Sequence, residues 1–447
     1  MIIPEYDTKL PVLEAIVAVI PDKKTLKLES VCFVCVQHLL YTTIQLMESL
    51  VTLGALPSNI YIMGKSYSSS PHVLSTLESK GYNYYNNEPQ EKLGTFSDCF
   101  QNDIKRMWED VHERVTEESI KLIIVLDDGG FCLTNVPQKI RKRFPLIGIE
   151  QTTSGLTNIR LRKVLFPVIE VAVSAAKQLV ESPMIAEAVV KKLNAILPVE
   201  KKNISCAVVG LGCIGIAVTK KLLSLNHSVR TYDREPKKNK AVSTRSTIAA
   251  LDISTLLHEA EYIFGCSGND ITNGLDPKII NGPKTFISCS SRDKEFLTLL
   301  NIFEENNCSY NTTLDHLECQ INNHPVKILR GGFPINFDNT GESVAAVDIQ
   351  LTRGLLLGSV LQAVLSFWNG LSMKKRRCML DPALQSFVVS QWKRVGSTHL
   401  FSPGLLDLLG DFGWIKRHSK GTYTENALFN EWFTFHARAS ESKRQIA

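Results

Sequence analysis

The chain lacks an apolar run long enough to cross a bilayer. Its longest, Gly354 to Trp368, falls short of the ~20 residues a spanning helix needs and contains Gln362, so it reads as a buried core helix. Nor is there an excess of one charge. The 50 Lys and Arg against 45 Asp and Glu leave a formal +5 over 447 residues. That is too mild for a protein organised around nucleic acid or a membrane surface, and neither partner is expected. The basic clusters Lys237-Lys238-Asn239-Lys240 and Lys374-Lys375-Arg376-Arg377 read as solvated loops. Repeats and low-complexity stretches are missing, which excludes solenoids and disordered arrays. The N-terminus starts acidic and mixed, unlike a secretory signal. The 11 cysteines occur singly with no disulfide spacing, the usage of a protein in a reducing cytoplasm. Cys32 and Cys35 imitate a redox or zinc half-site, but alternation along the apolar strand around them would send the two to opposite faces. Buried core thiols are the better reading, and no metal site is expected.

What is present is a glycine turn in the middle of the chain. The apolar run Ala207-Val208-Val209 enters Gly210-Leu211-Gly212-Cys213-Ile214-Gly215; a helical pattern follows, and then Ser228-Val229-Arg230-Thr231-Tyr232 ends on Asp233. This is the layout of a dinucleotide-binding βαβ unit. Gly210 permits the tight turn, Gly212 lets a pyrophosphate approach the backbone, and Gly215 lets the helix lie close to the strand. Phosphates would meet the free N–H groups at the helix start, around Cys213 and Ile214. Asp233 would accept the ribose hydroxyls, and an acid there favours NAD over NADP, whose 2′-phosphate it would repel. The alternatives are a unit of this shape that has lost its cofactor, or a chance glycine turn.

Strand-like runs at Val31–Val36, Ile60–Met63, Leu122–Leu126 and Leu146–Ile149 alternate with helical patterns at Thr43–Leu53, Val73–Lys80 and Phe100–Val115. That alternation predicts an α/β layered domain with a parallel sheet. Residues Phe166 to about Leu197 read as helical, interrupted at Ser182-Pro183. Beyond the glycine turn, further strands are expected at Tyr262–Cys266, Thr285–Cys289 and Val326–Leu329, then a long helix from Ser343 to Asn369.

Three clusters outside the glycine unit carry a family resemblance. They are Leu126-Asp127-Asp128-Gly129-Gly130, then Gly148-Ile149-Glu150-Gln151-Thr152-Thr153-Ser154-Gly155, and Pro167 through Lys177 with Glu181 one turn on. In this order, ahead of a central dinucleotide unit, they resemble S-adenosylhomocysteine hydrolase over roughly residues 25–370. The resemblance implies a two-lobed α/β fold, with a Rossmann NAD-binding domain at 185–343 inserted in a substrate-binding domain. That second domain would comprise 1–184 and the helix returning within 344–447, the rest of which is a C-terminal region. It implies bound NAD, a nucleoside-type substrate, a homodimer or homotetramer, and a hinge near Ser182-Pro183 and Gly341–Ala345. The chemistry it implies is oxidation of a 3′-hydroxyl, β-elimination and re-reduction, which needs bases at O3′ and C4′ and an acid/base group at C5′.

By resemblance, Asp128 is the substrate-contacting acid and C4′ base, Lys177 the lysine beside the 3′-hydroxyl, and His38 the histidine near C5′. Glu181 stands for an aspartate, Glu150, Gln151 and Thr152 fall on the substrate, and Thr153, Asp233 and Asn336 on the cofactor. The departures group together. Gln151 replaces a glutamate, Leu40 a threonine that meets adenine, and Ala172 an asparagine. Ser290-Ser291-Arg292-Asp293 replaces a histidine-bearing turn, and Gly341-Glu342-Ser343 a Gly-His-Pro. For the family's C-terminal Lys/Tyr tail only Lys420-Gly421-Thr422-Tyr423 offers itself. Residues nearest the cofactor and the 3′-hydroxyl are mostly kept; those reading adenine and acting at C5′ are mostly changed. Three readings follow: an enzyme on a related ribosyl substrate, the ordinary hydrolase with an altered pocket, and an NAD-binding regulatory homologue without chemistry.

Overall fold

The computed structural model describes residues 9–87, 92–197, 203–242, 247–250, 252–306, 308, 316–338, 340–370, 377–410 and 412–418. The chain divides into two compact units. One comprises residues up to Asn87, Gln101–Glu181 and the part from Asn339 onward; the other comprises Ser182–Asp338 with the segment ending at Phe100. Each is built on its own seven-stranded sheet.

In chain order the early elements are α1 (Pro11–Ala18), β1 (Val31–Val36), α2 (Tyr41–Thr52), β2 (Ile60–Met63), α3 (Pro71–Ser79), β3 (Asn83–Tyr85) and α4 (Phe96–Arg114). Next come β4 (Leu122–Asp127), α5 (Phe131–Thr134), α6 (Gln138–Arg143), β5 (Leu146–Glu150), α7 (Thr153–Arg162), β6 (Val168–Glu170) and α8 (Ser182–Ile196). The glycine region supplies β7 (Ser205–Val209), α9 (Cys213–Ser224), β8 (Ser228–Tyr232), α10 (Pro236–Val242), β9 (Thr247–Ala249), α11 (Ile253–Glu259) and β10 (Tyr262–Gly265). It continues through β11 (Lys284–Ser288), α12 (Leu297–Glu305), β12 (Leu317–Ile321) and β13 (His324–Ile328). The last elements are α13 (Ala346–Trp368), β14 (Arg377–Met379), α14 (Pro382–Trp392), α15 (Pro403–Gly410) and α16 (Phe412–His418).

The first sheet runs β14-β6-β5-β4-β1-β2-β3 and is parallel throughout. Every residue of β1, β4 and β5 is buried, as their near-continuous apolar sequences require of strands covered on both faces. Chain order reverses between β1 and β4. In an open α/β sheet a ligand binds at that switch point, outside the carboxyl ends of the strands. The second sheet repeats the plan as β12-β13-β11-β10-β7-β8-β9, parallel except for the hairpin strand β12. Its switch point lies between β7 and β10. The α/β class and the parallel sheets expected from the sequence are present.

Several expectations need correction. Residues Val168–Glu170, read as helix, form β6, because their backbone pairs with β5 on one side and β14 on the other, where Arg377 also bonds Glu170. A 3-10 turn (Val171–Val173) and a π turn (Lys177–Glu181) follow before α8 starts. Pro183 near that start has no N–H for the carbonyl of Leu179 and crowds it, which accounts for the widened turn. Residues 92–100 group with the second unit, not the first. Leu93 is buried in that unit's core and Phe96 stacks edge-on against Phe333. Lys237–Lys240 lies on the short helix α10, not a loop. Cys308 and Cys319 are disulfide-linked, although no spacing in the sequence marks them. Cys32 and Cys35 are fully buried free thiols, and burial pushes both well above the usual thiol range. The Lys420–Tyr423 stretch lies outside the described residues.

Helix α13 is longer than its apolar run, at 23 residues, and by length and composition could cross a membrane. It is instead 78% buried inside the protein over its most apolar window. It packs against α1, α2 and α14. Gly354 and Gly358, one turn apart, permit the approach: a Cβ on Gly358 would stand 2.3 Å from a methyl of the buried Leu384. Gly358→Val should therefore destabilise the first unit by about 1–3 kcal/mol through overpacking, more than valine's small helix-propensity gain over glycine returns. Urea unfolding followed by tryptophan fluorescence should show a lower midpoint; an unchanged or higher one would contradict this packing.

Candidate functional site

At the switch point of the first sheet, the turn after β1 carries Gln37 and His38, and the end of β4 carries Asp127 and Asp128. Asp128 is buried, and its two carboxylate oxygens are taken up on opposite sides. Oδ1 accepts from Lys65 Nζ, and Oδ2 accepts from Gln151 Nε2 with His38 Nε2 at 3.5 Å. Burial opposes ionisation of Asp128, but the Lys65 ammonium and the hydrogen bonds from Lys65 and Gln151 outweigh it and hold the carboxyl well below its usual range. Lys65, itself 1% exposed, is held protonated by the same pair despite burial. His38 Nδ1 bonds Ser68 Oγ at 2.6 Å. Burial, then Lys65, pushes the imidazole down to about 3, with Arg353 and Lys177 adding to the effect, so the ring is neutral near pH 7.

Lys177 and Glu181 form an i,i+4 ion pair across the π turn, each largely shielded from solvent. Widened turns of this kind recur at functional sites. His38 and Asp128 thus lie together, with Lys177 within electrostatic reach of His38 and Glu181 of Arg353. Gln151 belongs to the His38–Asp128 group directly. Glu150 and Thr152 do not reach it in the same way. Glu150 Oε1 accepts from the Gly129 N–H at 3.2 Å and from the Thr152 N–H and hydroxyl at 2.7 and 2.6 Å. The Thr152 hydroxyl in turn caps α7 by accepting from Gly155 N at 3.0 Å. A Cβ on Gly155 would stand 2.2 Å from the Glu150 carboxyl carbon, so this loop is built around that buried acid. Asp127, paired with Glu150 across β4 and β5, is pushed up to about 7 by burial. Burial, then Asp127, drives Glu150 upward as well. Thr153 is exposed at the first residue of α7.

In the second unit Gly210 adopts φ +97°, and a Cβ there would meet the backbone of Cys266 and Ser267 within 2.7 Å. On Gly215 a Cβ would stand 1.8 Å from the Gly210 carbonyl oxygen, whereas on Gly212 it would meet nothing within 4 Å. The first and third glycines are therefore demanded by packing. The second leaves open space at the start of α9, where a phosphate would sit. Cys213 is exposed there and Ile214 packs partly on the core. Asp233 follows β8 and binds the glycine loop, accepting from Leu211 N at 2.7 Å, and also accepts from Glu235 N at 2.8 Å. A carboxylate has about four acceptor positions, so ribose hydroxyls still find lone pairs. Asn336 is buried in the segment that Ile335 N ties to Ser288 O at the end of β11.

Four site residues escaped the sequence reading: Lys65, Ser68, Arg353 and Glu295. Arg353 alone left a signal, as a lone cation inside an apolar helix. Glu295 is fully buried and pins the loop after β10 by accepting from Ser267 Oγ at 3.0 Å and Gly268 N at 2.5 Å.

No family model matches the chain. The uncharacterized protein Rv0104 of Mycobacterium tuberculosis is 27% identical over 365 residues, 80% of this chain and 68% of that one. Among solved structures, a dipicolinate synthase of Bacillus subtilis matches 76% of this chain and 97% of its own at 11% identity and TM-score 0.37. An NAD-dependent formate dehydrogenase of Staphylococcus aureus, in complex with NAD, matches 67% and 89% at 11% identity and TM-score 0.34. TM-scores this low assign neither an activity nor a ligand to this chain.

The switch-point loop of the second unit has a pH signature. Burial pushes Glu295 up to about 7 from an ordinary 4.5. The folded state therefore binds more protons than the unfolded chain between those values, and the stability Glu295 contributes falls as pH rises through that window. Glu295→Gln should gain on the native protein by about 1–3 kcal/mol between pH 4.5 and 7.5, and stay level with pH outside it. Denaturant titrations across pH giving parallel curves for the two proteins would refute the assignment.

Proposed function

We propose that the chain is an NAD-dependent protein that oxidises the 3′-hydroxyl of a ribosyl nucleoside, a divergent relative in chemistry of S-adenosylhomocysteine hydrolase. What supports the reading is the His38–Asp128 contact at the first switch point, with Lys177 within electrostatic reach of His38 and ion-paired to Glu181. The other unit supplies a glycine turn and terminal acid suited to a dinucleotide. NAD, when bound, would supply the hydride acceptor.

The chain's own residues then divide the work. The Lys177–Glu181 pair is the candidate acceptor of the 3′-hydroxyl proton. Neutral His38, with Nδ1 bonded to Ser68, presents Nε2 beside Asp128, and its lowered basicity suits it to orienting a hydroxyl rather than taking up a proton. Asp128 is ionised, but Lys65 and Gln151 occupy it and hold its basicity low. A carboxylate in that state orients a hydroxyl well and removes a carbon-bound proton poorly. With no histidine in Ser290–Asp293, the elimination and hydration steps are the weak ones. Asp293 points elsewhere, accepting from Phe96 N at 3.2 Å. The same occupancy of Asp128 favours a second reading, a cofactor-binding regulatory homologue that performs no chemistry.

The two readings separate experimentally. Adenosine or a ribosyl analogue added to NAD-loaded protein should raise NADH absorbance without releasing a thiol, and Lys177→Met should abolish the signal while NAD stays bound. Failure of every ribosyl compound to reduce the cofactor would leave the regulatory reading. Hydrolysis of S-adenosylhomocysteine should run about 10²–10⁴-fold below an ordinary enzyme rate, the usual cost of losing a positioned acid/base group. Full-speed homocysteine release would contradict the roles given to Asp128 and the Ser290–Asp293 turn.

A further inference from the structure

Arg353 on α13 is 3% exposed, and no carboxylate lies within salt-bridge distance of its guanidinium among the described residues. A buried cation needs compensation, and Arg353 receives it only at a distance, from Glu342, Asp128 and Glu181. The neighbouring acids are already committed. Asp128 is paired with Lys65 and Glu181 with Lys177. Glu342 lies across Thr42, accepting from its N–H at 2.5 Å and its hydroxyl at 3.1 Å.

The guanidinium is held in a fixed plane. Nε donates to Thr42 Oγ1 at 3.1 Å and one Nη1 proton to Gln37 Oε1 at 3.4 Å. Arginine has five donors, so the remainder of the fork is free to bind. Gln37 adds a second, independent sign. Its Oε1 is committed to Arg353, so its Nε2 must point away, and that NH2 is fully buried with no hydrogen-bond partner. Unmatched donors from two side chains, one of them charged, fit an acceptor that is itself negative.

We propose that Arg353 and Gln37 form a receptor for an anionic oxygen group, a carboxylate or phosphate, carried by the substrate of the first unit. The assignment to the substrate rests on the ribosyl reading above; the receptor itself stands on Arg353 and Gln37. The group docks on the guanidinium fork and the Gln37 amide, with Thr42 fixing the fork and Glu342 opposing the ligand's charge. The ribosyl compound that fits is therefore one that carries an acidic group.

Calorimetric titration of the full chain with sodium phosphate and, separately, sodium acetate tests this directly. One saturable site per chain is expected for at least one of the two, and the stronger identifies phosphate or carboxylate as the docking group. Arg353→Gln should weaken binding roughly 10–100-fold, the worth of charge-assisted hydrogen bonds. Should that variant not fold, Gln37→Leu, which keeps every charge, should weaken binding, and Glu342→Gln, which removes the opposing charge, should tighten it. Native protein that binds neither anion, or Gln37→Leu and Glu342→Gln variants that bind as the native protein does, would overturn the receptor. Saturable anion binding in a protein whose NAD no acidic ribosyl compound reduces would keep the receptor and remove the hydride-transfer reading instead.

Discussion

Both units depend on one constraint: a parallel sheet covered on both faces has no room for polar chemistry along its strands. Strands β1, β4 and β5 bury every residue. Charged groups can enter only where the strands end, and neighbouring loops part company only where strand order reverses. The chain meets this constraint twice with one topology. In the first unit the reversal gathers acids, amides and cations; in the second it gathers glycines with two acids, Asp233 and Glu295. The difference between them is a difference of side-chain chemistry laid on a shared plan.

Within the first switch point the Lys65–Asp128 pair organises the rest. It neutralises the buried acid, leaves His38 uncharged, and uses Gln151 where a second negative charge would have made the cluster harder to assemble. The deeper Asp127 and Glu150 lie side by side at the strand ends, and burial favours their protonated forms. Negative charge is thereby confined to Asp128, Glu181 and Glu342, facing Lys65, Lys177 and Arg353. Two of these cations are directly paired and the third is not, which is why Arg353 singles itself out.

Much of this was legible in the sequence. Buried parallel strands advertise themselves as unbroken apolar runs, so β1, β2, β4, β5, β10 and β11 could be bounded closely. The glycine turn was readable because each glycine answers a separate steric demand. The short strands β3, β6, β9 and β14, three of them at sheet edges, were not readable: three residues carry no periodicity, and pairing with a distant neighbour decides them. Glu150 and Thr152 look like ligand groups in a motif, yet their side chains serve the loop, since a helix start and a buried backbone N–H claim them first. Lys65 follows an ordinary strand and Gly64, and only the fold reveals that it meets Asp128.

The central claim is that the second switch point is a dinucleotide site whose specificity comes from Asp233. Calorimetric titration of the full chain, stripped of small molecules, with NAD and then with NADP tests it most directly. The account predicts one NAD site per chain, with NADP at least ~10-fold weaker because its 2′-phosphate meets the Asp233 carboxylate. Equal affinity for the two, or binding of neither, would contradict it.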